Sequence, residues 1–438
     1  MPTTVRLKVM MFLQFFVWGV FFVSLGTYLG VIFEGEENLN SIVGGIYSTQ
    51  TWAALAAPLI VGFVADRLFN KEHVNAVLHL VGGALLWYCS TIESDPDRFY
   101  WVMLAFFICY MPTLALVNAI TFQNVNSVES DFPKIRLWGT IGWIVAGLVV
   151  SESFFGLFPV PVLPGVVDAA KTSVPLQIGA VVSLIYGVYS FSLPSSPPQG
   201  REQAVSITKI MGLDAVQLFA NPSYLVFAVC SFLICIPLAF YYARTNEFVT
   251  YMAFGDRTTA IMALGQLSEI FFMALVPFFL QRLGVKLMLL VGMLAWALRY
   301  SLFGLMPSSG AMLILGIALH GICYDFFFVT GQLYTDRLAP KNMRTSAQAL
   351  IGLLTYGAGM LVGNLVLGKW GDHIALDPTS KEGWEAGAKE FWLLPAGFAA
   401  VIAVLFFLTF WDRSQAAKAS VAGDEIPEDD VNAAPDPA

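Results

Sequence analysis

Between residue 8 and residue 411 nearly the whole chain is written in apolar runs of bilayer-crossing length. That pattern restricts the fold more than any motif does. A membrane-spanning helix needs about 20 apolar residues, within a range of 17–25. By this measure spans are predicted near 8–33, 41–65, 73–92, 98–122, 135–155 and 174–193. After a polar stretch they resume near 223–243, 258–281, 286–306, 310–332, 345–368 and 390–411. Six runs, a break and six more predict an all-α integral membrane protein with twelve transmembrane helices in two halves. Charged residues make up 12% of the chain, against about 25% in a soluble domain. The 36 Phe and 11 Trp suit lipid-facing surfaces and interfacial belts.

The predicted organisation is an N-terminal half at 1–193, a cytosolic linker at 194–222, a C-terminal half at 223–411 and a tail at 412–438. The linker begins PSSPPQGREQ, a Pro, Ser and charge content that resists packing. Within it, VSITKIMGLDAVQLF has the composition of an interfacial helix. The tail, ending AGDEIPEDDVNAAPDPA, is acidic, poor in apolar residues and expected to be disordered; it supplies much of the net charge of −8. The first apolar run is too long for a signal peptide and lacks a small-residue cleavage site. Cytosolic loops are enriched in Lys and Arg. With the N-terminus inside, 15 of the 23 Lys and Arg fall on the inner side, among them Arg6, Lys8, Arg67, Lys134, Arg282, Lys286, Arg337 and Arg344. Both termini are therefore expected in the cytosol and the protein in the inner membrane. Arg244 and Arg299 fall among the other eight, as interface or outward-facing cations.

Catalytic chemistry leaves no trace. No phosphate-binding loop, G-x-S-x-G elbow or H-E-x-x-H motif occurs, and the four His and five Cys show no metal-ligand spacing. The cysteines (Cys89, Cys109, Cys230, Cys235, Cys323) sit in apolar runs, as small packing residues do. No metal, cofactor, nucleic-acid partner or enzymatic activity is expected.

What the apolar runs do contain is a handful of ionisable residues. A charge at the bilayer centre costs about 2.5–3.5 kcal/mol on insertion scales, so such residues usually face a water-filled cavity. Asp325 lies within LHGICYDFFFVTG, next to Tyr324 and five residues after His320. Gln266 and Glu269, in GQLSEIFF, are three apart and share a helix face. Arg136 and Thr140, four apart in FPKIRLWGTIGW, share a face with Trp143. Two acids and a base on three spans point to a polar cavity inside the bundle. Glu269 and Asp325 are either structural carboxylates or groups that titrate or accept substrate hydroxyls. Arg136 is either a charge partner for them or a snorkelling anchor at a helix start. Trp143 and Tyr324 either stack on a planar ring or pack helices, and His320 is either a core histidine or a site donor. Gln14, Tyr28, Asn118, Gln123 and Asn364 are expected to join helices.

The loops DRLFNK (66–71) and QRLGVK (281–286) occupy matching places in the two halves. Gly62-x-x-x-Asp66-Arg67 resembles the short cytosolic loop signature of the major facilitator superfamily, and the six-break-six layout agrees. More specific blocks are LQFFVWGVFFVSLGTYLG, ICYMPTLALVNAITF, DFPKIRLWGTIGW, GQLSEIFFM, LAWALRYSLF, GICYDFFFVTG and RTSAQALIGLLTYGAG. These resemble the bacterial nucleoside:proton symporters, through essentially the whole chain to about Trp411.

The resemblance implies a major facilitator fold and nucleoside import driven by inward proton flow, by a monomer, with the nucleoside, protons and the lipid bilayer as its partners. Carried across at matching positions, the substrate site holds Arg136, Thr140, Trp143, Tyr242, Gln266, Glu269, His320, Tyr324 and Asp325. Glu269, Asp325 and Arg136 would couple the proton, with the carrier between the two acids left open. Trp143, His320 and Tyr324 stand where the family has Phe, Tyr and Phe, so a ring is kept at each. The seventh span departs further: where the family has two amide side chains, PLAFYYARTNEF offers Ala239 and Tyr242. That change admits an alternative on the same fold, a symporter for sugars or another polyhydroxy solute. A non-transporting receptor is more remote, because no sizeable signalling domain interrupts the spans.

Overall fold

The computed structural model describes residues 2–65, 67–151, 168–198 and 207–411. Among them the regular structure is entirely helical. The elements are α1 (Thr3–Ile32), α2 (Leu39–Ile60), α3 (Lys71–Cys89), α4 (Pro96–Asn124), α5 (Val128–Val149) and α6 (Val174–Ser190). After the linker come α7 (Pro222–Val249), α8 (Thr258–Leu305), α9 (Gly310–Leu338), α10 (Arg344–His373) and α11 (Lys381–Thr409).

Several boundaries follow from capping chemistry. Asp95 accepts from the Arg98 N–H and Pro96 opens α4, so the missing proline N–H leaves nothing unsatisfied. Ser380 caps Gly383 and starts α11 nine residues before its apolar run, so its first turns carry Glu382, Glu385 and Lys389 above the apolar stretch. The 48 residues of α8 are two arms: Gly284 adopts φ 68°, ψ 175°, a conformation that glycine tolerates and other residues resist. Phe303 packs on Phe248, near the end of α7 and hence near Thr258. Lys286 lies over Trp411 at the opposite end. The chain therefore reverses at Gly284.

The linker differs from expectation. Ile207–Ile210 is one α-turn and Leu213–Ala220 is a 3₁₀ segment, separated by Gly212 at φ 72°, so no continuous interfacial helix forms there. Asp66 of the loop signature and the acidic tail lie outside the described residues.

One end of the bundle gathers the first and the last described residues of the chain. The Arg6 guanidinium donates to the Ser192 carbonyl, and the Ser223 hydroxyl donates to the Trp411 carbonyl. At the far end, helices from before and after the linker are tied together. Thr27 bonds Asn246 at 2.8 Å, and Arg244 donates to Glu247 at 2.5 Å and to Asn40 at 2.7 Å. Asp372 accepts from the Asn40 and Ser41 N–H groups at the start of α2, both at 3.1 Å. Asn40 in turn donates to the Leu376 carbonyl at 2.9 Å.

Two seams join the parts. Ile144 and Leu148 of α5 cluster with Ala260 and Ala263 of α8. On the other seam, Gly44 of α2 meets the Asn364 carbonyl of α10, and Leu55 rests on Gly357. At the terminal end the described hydrogen bonds run within each part or to the linker.

Arg244 and Arg299, expected at an interface or outside, are fully buried. Arg244 has Glu247 one turn along α7 and Asn40 across the seam, which compensate its charge. Arg299 donates to the Gly316 carbonyl and lies 4.2 Å from the Tyr241 ring centre, so a carbonyl and a π-face substitute for water. Gln14 meets the expectation of a helix joiner: its amide donates to Thr113 and its oxygen faces His79, itself bonded to Ser183.

Candidate functional site

A cavity sits between the two seams, below the far-end ties. Its walls come from both parts of the chain. On α5, Arg136, Thr140 and Trp143 follow one another at helical spacing and all three line it. On α1, Phe15, Trp18 and Phe22 do the same. The two faces meet: the Arg136 guanidinium lies 4.1 Å from the Phe15 ring centre, and Trp18 packs edge-on against Trp143 at 5.3 Å. The helices after the linker add Tyr242, Gln266, Glu269, His320, Tyr324, Tyr356 and Met360, and α2 adds Gln50.

The polar wall depends on a break in α9. Between the segments Gly310–Ala318 and His320–Tyr324 the Ala318 carbonyl and the Gly321 N–H leave the helical ladder, while Leu319 keeps its bonds to Leu315 and Cys323. Ser268 of α8 fills the gap, donating to the Ala318 carbonyl at 2.7 Å and accepting from the Gly321 N–H at 2.8 Å. A Cβ on Gly321 would collide with the Ser268 backbone, so this contact requires glycine. The neighbours of the two joined residues are Glu269 and His320. Their side chains therefore stand together, with His320 Nε2 3.9 Å from a Glu269 oxygen. Behind His320 the Tyr241 ring stacks at 5.3 Å and 16°, holding the imidazole plane. One turn on, the Tyr356 hydroxyl donates to the Tyr324 hydroxyl at 2.6 Å, joining α10 to α9 across the cavity wall.

Asp325 stands apart. It begins a single π turn, Asp325–Val329, and is fully buried beside the cavity without lining it. Neither of its carboxyl oxygens has a hydrogen-bond partner among the described residues. Eight of the nine residues expected from the sequence thus share one cavity, and Asp325 lies just behind its wall. Ala239, on the seventh predicted span, is turned toward Gly363 and does not line the cavity, whereas Tyr242 does.

Residues not anticipated as wall-formers are Phe15, Trp18, Phe22, Gln50, Tyr356 and Met360. The aromatic ones are indistinguishable from lipid-facing residues within an apolar run. Gln50 carried a usable signal, an amide in the middle of a span. Among the described residues no group of His, Cys, Asp and Glu is arranged to hold a metal ion.

A helical bundle around a central polar cavity, tied at one end, is the build of a solute transporter that exposes its site to one side of a membrane at a time. Solved structures agree. That of the nucleoside transporter NupG superposes with a TM-score of 0.79 at 29% identity, covering 94% of this chain and 100% of that one. A bacterial Spinster homologue in an inward-facing state superposes at 0.71 with 13% identity, covering 94% of this chain and 98% of that one, a likeness of fold alone. The family model for the nucleoside H⁺ symporters matches residues 1–415, and the chain belongs to that family. Relatives in Escherichia coli (strain K12) include the putative nucleoside transporter YegT, 40% identical over 94% of both chains. The xanthosine permease of the same organism is 32% identical over 94% of this chain and 96% of that one. The family and these relatives are membrane transporters, not enzymes.

Proposed function

We propose that this protein imports nucleosides together with protons across the inner membrane by alternating access. The observation that carries the reading is the cavity itself. Arg136, Glu269 and His320 converge from three helices at mid-depth, beneath a far end that is tied shut. The family to which the chain belongs supports nucleoside and proton as the cargo.

In this reading twelve spans form halves at 1–193 and 223–411, with residues 194–222 as the cytosolic linker and 412–438 as a cytosolic tail. The gathering of Lys8, Lys134, Arg282, Arg337 and Arg344 toward the terminal end supports cytosolic termini. A cavity tied at the other end is then inward-facing. A monomer suffices, because the wall is complete within one chain.

Glu269 and Gln266 accept and donate to the ribose hydroxyls, with Thr140 and Arg136 beside them. Trp143, Trp18 and Tyr324 give the base a ring-lined wall. Glu269, Asp325 and Arg136 carry the coupling. Asp325, with no partner and no cavity surface, acts on the proton balance rather than on substrate contact, since an unpaired intramembrane carboxyl is retained for function, not stability. Rocking of the halves about the site would break the far-end ties and form others at the terminal end.

The test is uptake of labelled uridine and adenosine into vesicles with an imposed pH gradient. Gradient-driven accumulation is expected, strongly reduced in Glu269→Gln and Asp325→Asn. Uptake indifferent to the gradient removes the coupling. Stabilisation by sugars and not by nucleosides, in a thermal-shift panel, replaces the substrate.

A further inference from the structure

Four successive polar residues interrupt the apolar face of α2: Ser48, Thr49, Gln50 and Thr51. Three of them look after themselves. Ser48 donates to the Gly45 carbonyl, Thr49 to Ile46 and Thr51 to Ser48, all on their own helix at 2.6–2.7 Å. Gln50 is different. It is 7% exposed, lines the cavity, and makes no described side-chain hydrogen bond. A carboxamide has two donor hydrogens and an acceptor oxygen, and here they are left to the cavity rather than to a protein partner. The same cavity is lined by Phe22, Tyr356 and Met360, and Tyr356 already donates its proton to Tyr324.

The seams place Gln50 across the cavity from the ionisable groups. Arg136 and Glu269 sit on the seam of α5 and α8, Gln50 on the seam of α2 and α10. Trp18 and Phe22 of α1 lie on the wall between, and Trp143 of α5 packs edge-on against Trp18. A solute that satisfies both seams needs hydroxyls at one end, a planar middle, and an edge with adjacent donor and acceptor at the other. An amide pairs in bidentate fashion with such an edge, as Gln and Asn do with adenine.

We infer that Gln50 is a specificity-determining residue that reads the hydrogen-bonding edge of the nucleobase, while the Glu269 seam holds the sugar. This rests on the proposed transport of nucleosides and adds what part of them is selected, and by which group.

The experiment compares uptake kinetics of each nucleoside with its analogue lacking the exocyclic base group: adenosine against purine riboside, and uridine against the 4-deoxy-pyrimidinone riboside. The 2′-deoxynucleosides serve as the sugar control. The variants are Gln50→Met, which keeps volume and removes hydrogen bonding, and Gln50→Asn, which keeps the amide. In the wild type at least one full nucleoside should be favoured over its analogue by about tenfold, the worth of one well-made hydrogen bond. In Gln50→Met that ratio should fall to about one, through KM rather than kcat, with the 2′-deoxy penalty unchanged. Gln50→Asn should recover part of the ratio. Should Gln50→Met fail to insert in the membrane, Gln50→Leu makes the same measurement. An unchanged base ratio in the apolar variant, an equal loss for every substrate, or no wild-type preference in either pair overturns the inference while leaving nucleoside transport standing. A wild type that takes up no nucleoside overturns the proposed function itself.

Discussion

The far-end tie and the central cavity each sink an arginine and a glutamate into the bundle, yet they are wired differently. Arg244 and Glu247 are one turn apart on the same helix, 0% and 1% exposed, in contact at 2.5 Å. Asn40 accepts a second Arg244 bond across the seam, while Arg244 Nε and one Glu247 oxygen have no partner among the described residues. Arg136 and Glu269 stand on separate helices, face the cavity, and form no described ion pair with each other. Arg136 rests on a phenyl ring and Glu269 stops 3.9 Å short of an imidazole. The lesson is that charge type does not separate a latch from a binding site; direct pairing of the charges does. Partners supplied by the protein give a lock. Partners withheld leave a place for solute and proton.

The largest expected effect lies in the lock. Removing one member of a buried ion pair strands the other, at a cost of about 3–5 kcal/mol. Arg244→Ala or Glu247→Ala should therefore lower the thermal midpoint of the purified protein by several degrees. The joint replacement Arg244→Met with Glu247→Leu should return most of that loss, since a packed apolar pair is often as stable as a buried ionic one. A single variant as stable as the wild type would show that the pair is not a latch.

In the cavity the order reverses: function should move and stability should not. Glu269→Gln removes a charge-assisted acceptor worth about 1.5–3 kcal/mol, so uptake should fall roughly 10- to 100-fold. Its thermal midpoint should stay near that of the wild type, because its nearest protein partner, His320, stands 3.9 Å away and forms no hydrogen bond with it. A large destabilisation would make Glu269 a structural carboxylate and erase the contrast. Between these extremes lies Ser268→Ala. It breaks two hydrogen bonds that bridge the gap in α9, each worth about 1 kcal/mol. It should raise KM severalfold by releasing His320, with a smaller loss of stability than the Arg244 variants show.

These contrasts also mark what a sequence can convey. The cost of an ionisable residue in a span is a strong and local signal, and Arg136, Glu269 and His320 are legible by it. Helical spacing groups Arg136 with Thr140 and Trp143, and all three line the cavity. Which way a residue turns is set by neighbours distant in the chain. Asp325 shares the signal of Glu269, yet follows Tyr324 by one residue, about 100° around the helix, and begins a π turn; it ends behind the wall. Arg244 and Arg299 look like outward cations because Asn40 and the Gly316 carbonyl are not adjacent to them in sequence. Trp18 and Phe22 are invisible for the opposite reason. In a run where every residue is apolar, a ring facing a cavity reads like a ring facing lipid. Gly284, within QRLGVK, separates two arms because its positive φ permits the reversal.

The smallest effect concerns the loop that supports the lock from outside the membrane. Asn40 donates to the Leu376 carbonyl, and the next residue, Asp377, holds that loop together. Its carboxylate accepts from the Thr379 N–H at 2.9 Å, the Thr379 hydroxyl at 2.7 Å and the Ser380 hydroxyl at 2.5 Å. Partial burial pushes the carboxyl upward, but these hydrogen bonds together outweigh it and hold Asp377 below the ordinary aspartate range. A folded-state value below the unfolded one contributes stability that is present above the unfolded pKa, about 4, and disappears as the pH falls through the folded value. Asp377→Asn should thus cost a little at pH 7, and the difference from wild type should shrink on acidification below about 4. The charge is largely solvent-exposed, so the gap should remain well below that produced by Arg244→Ala. A gap that persists unchanged in acid would show that the Asp377 loop is held by its backbone alone. The lock would then owe its strength entirely to the buried pair.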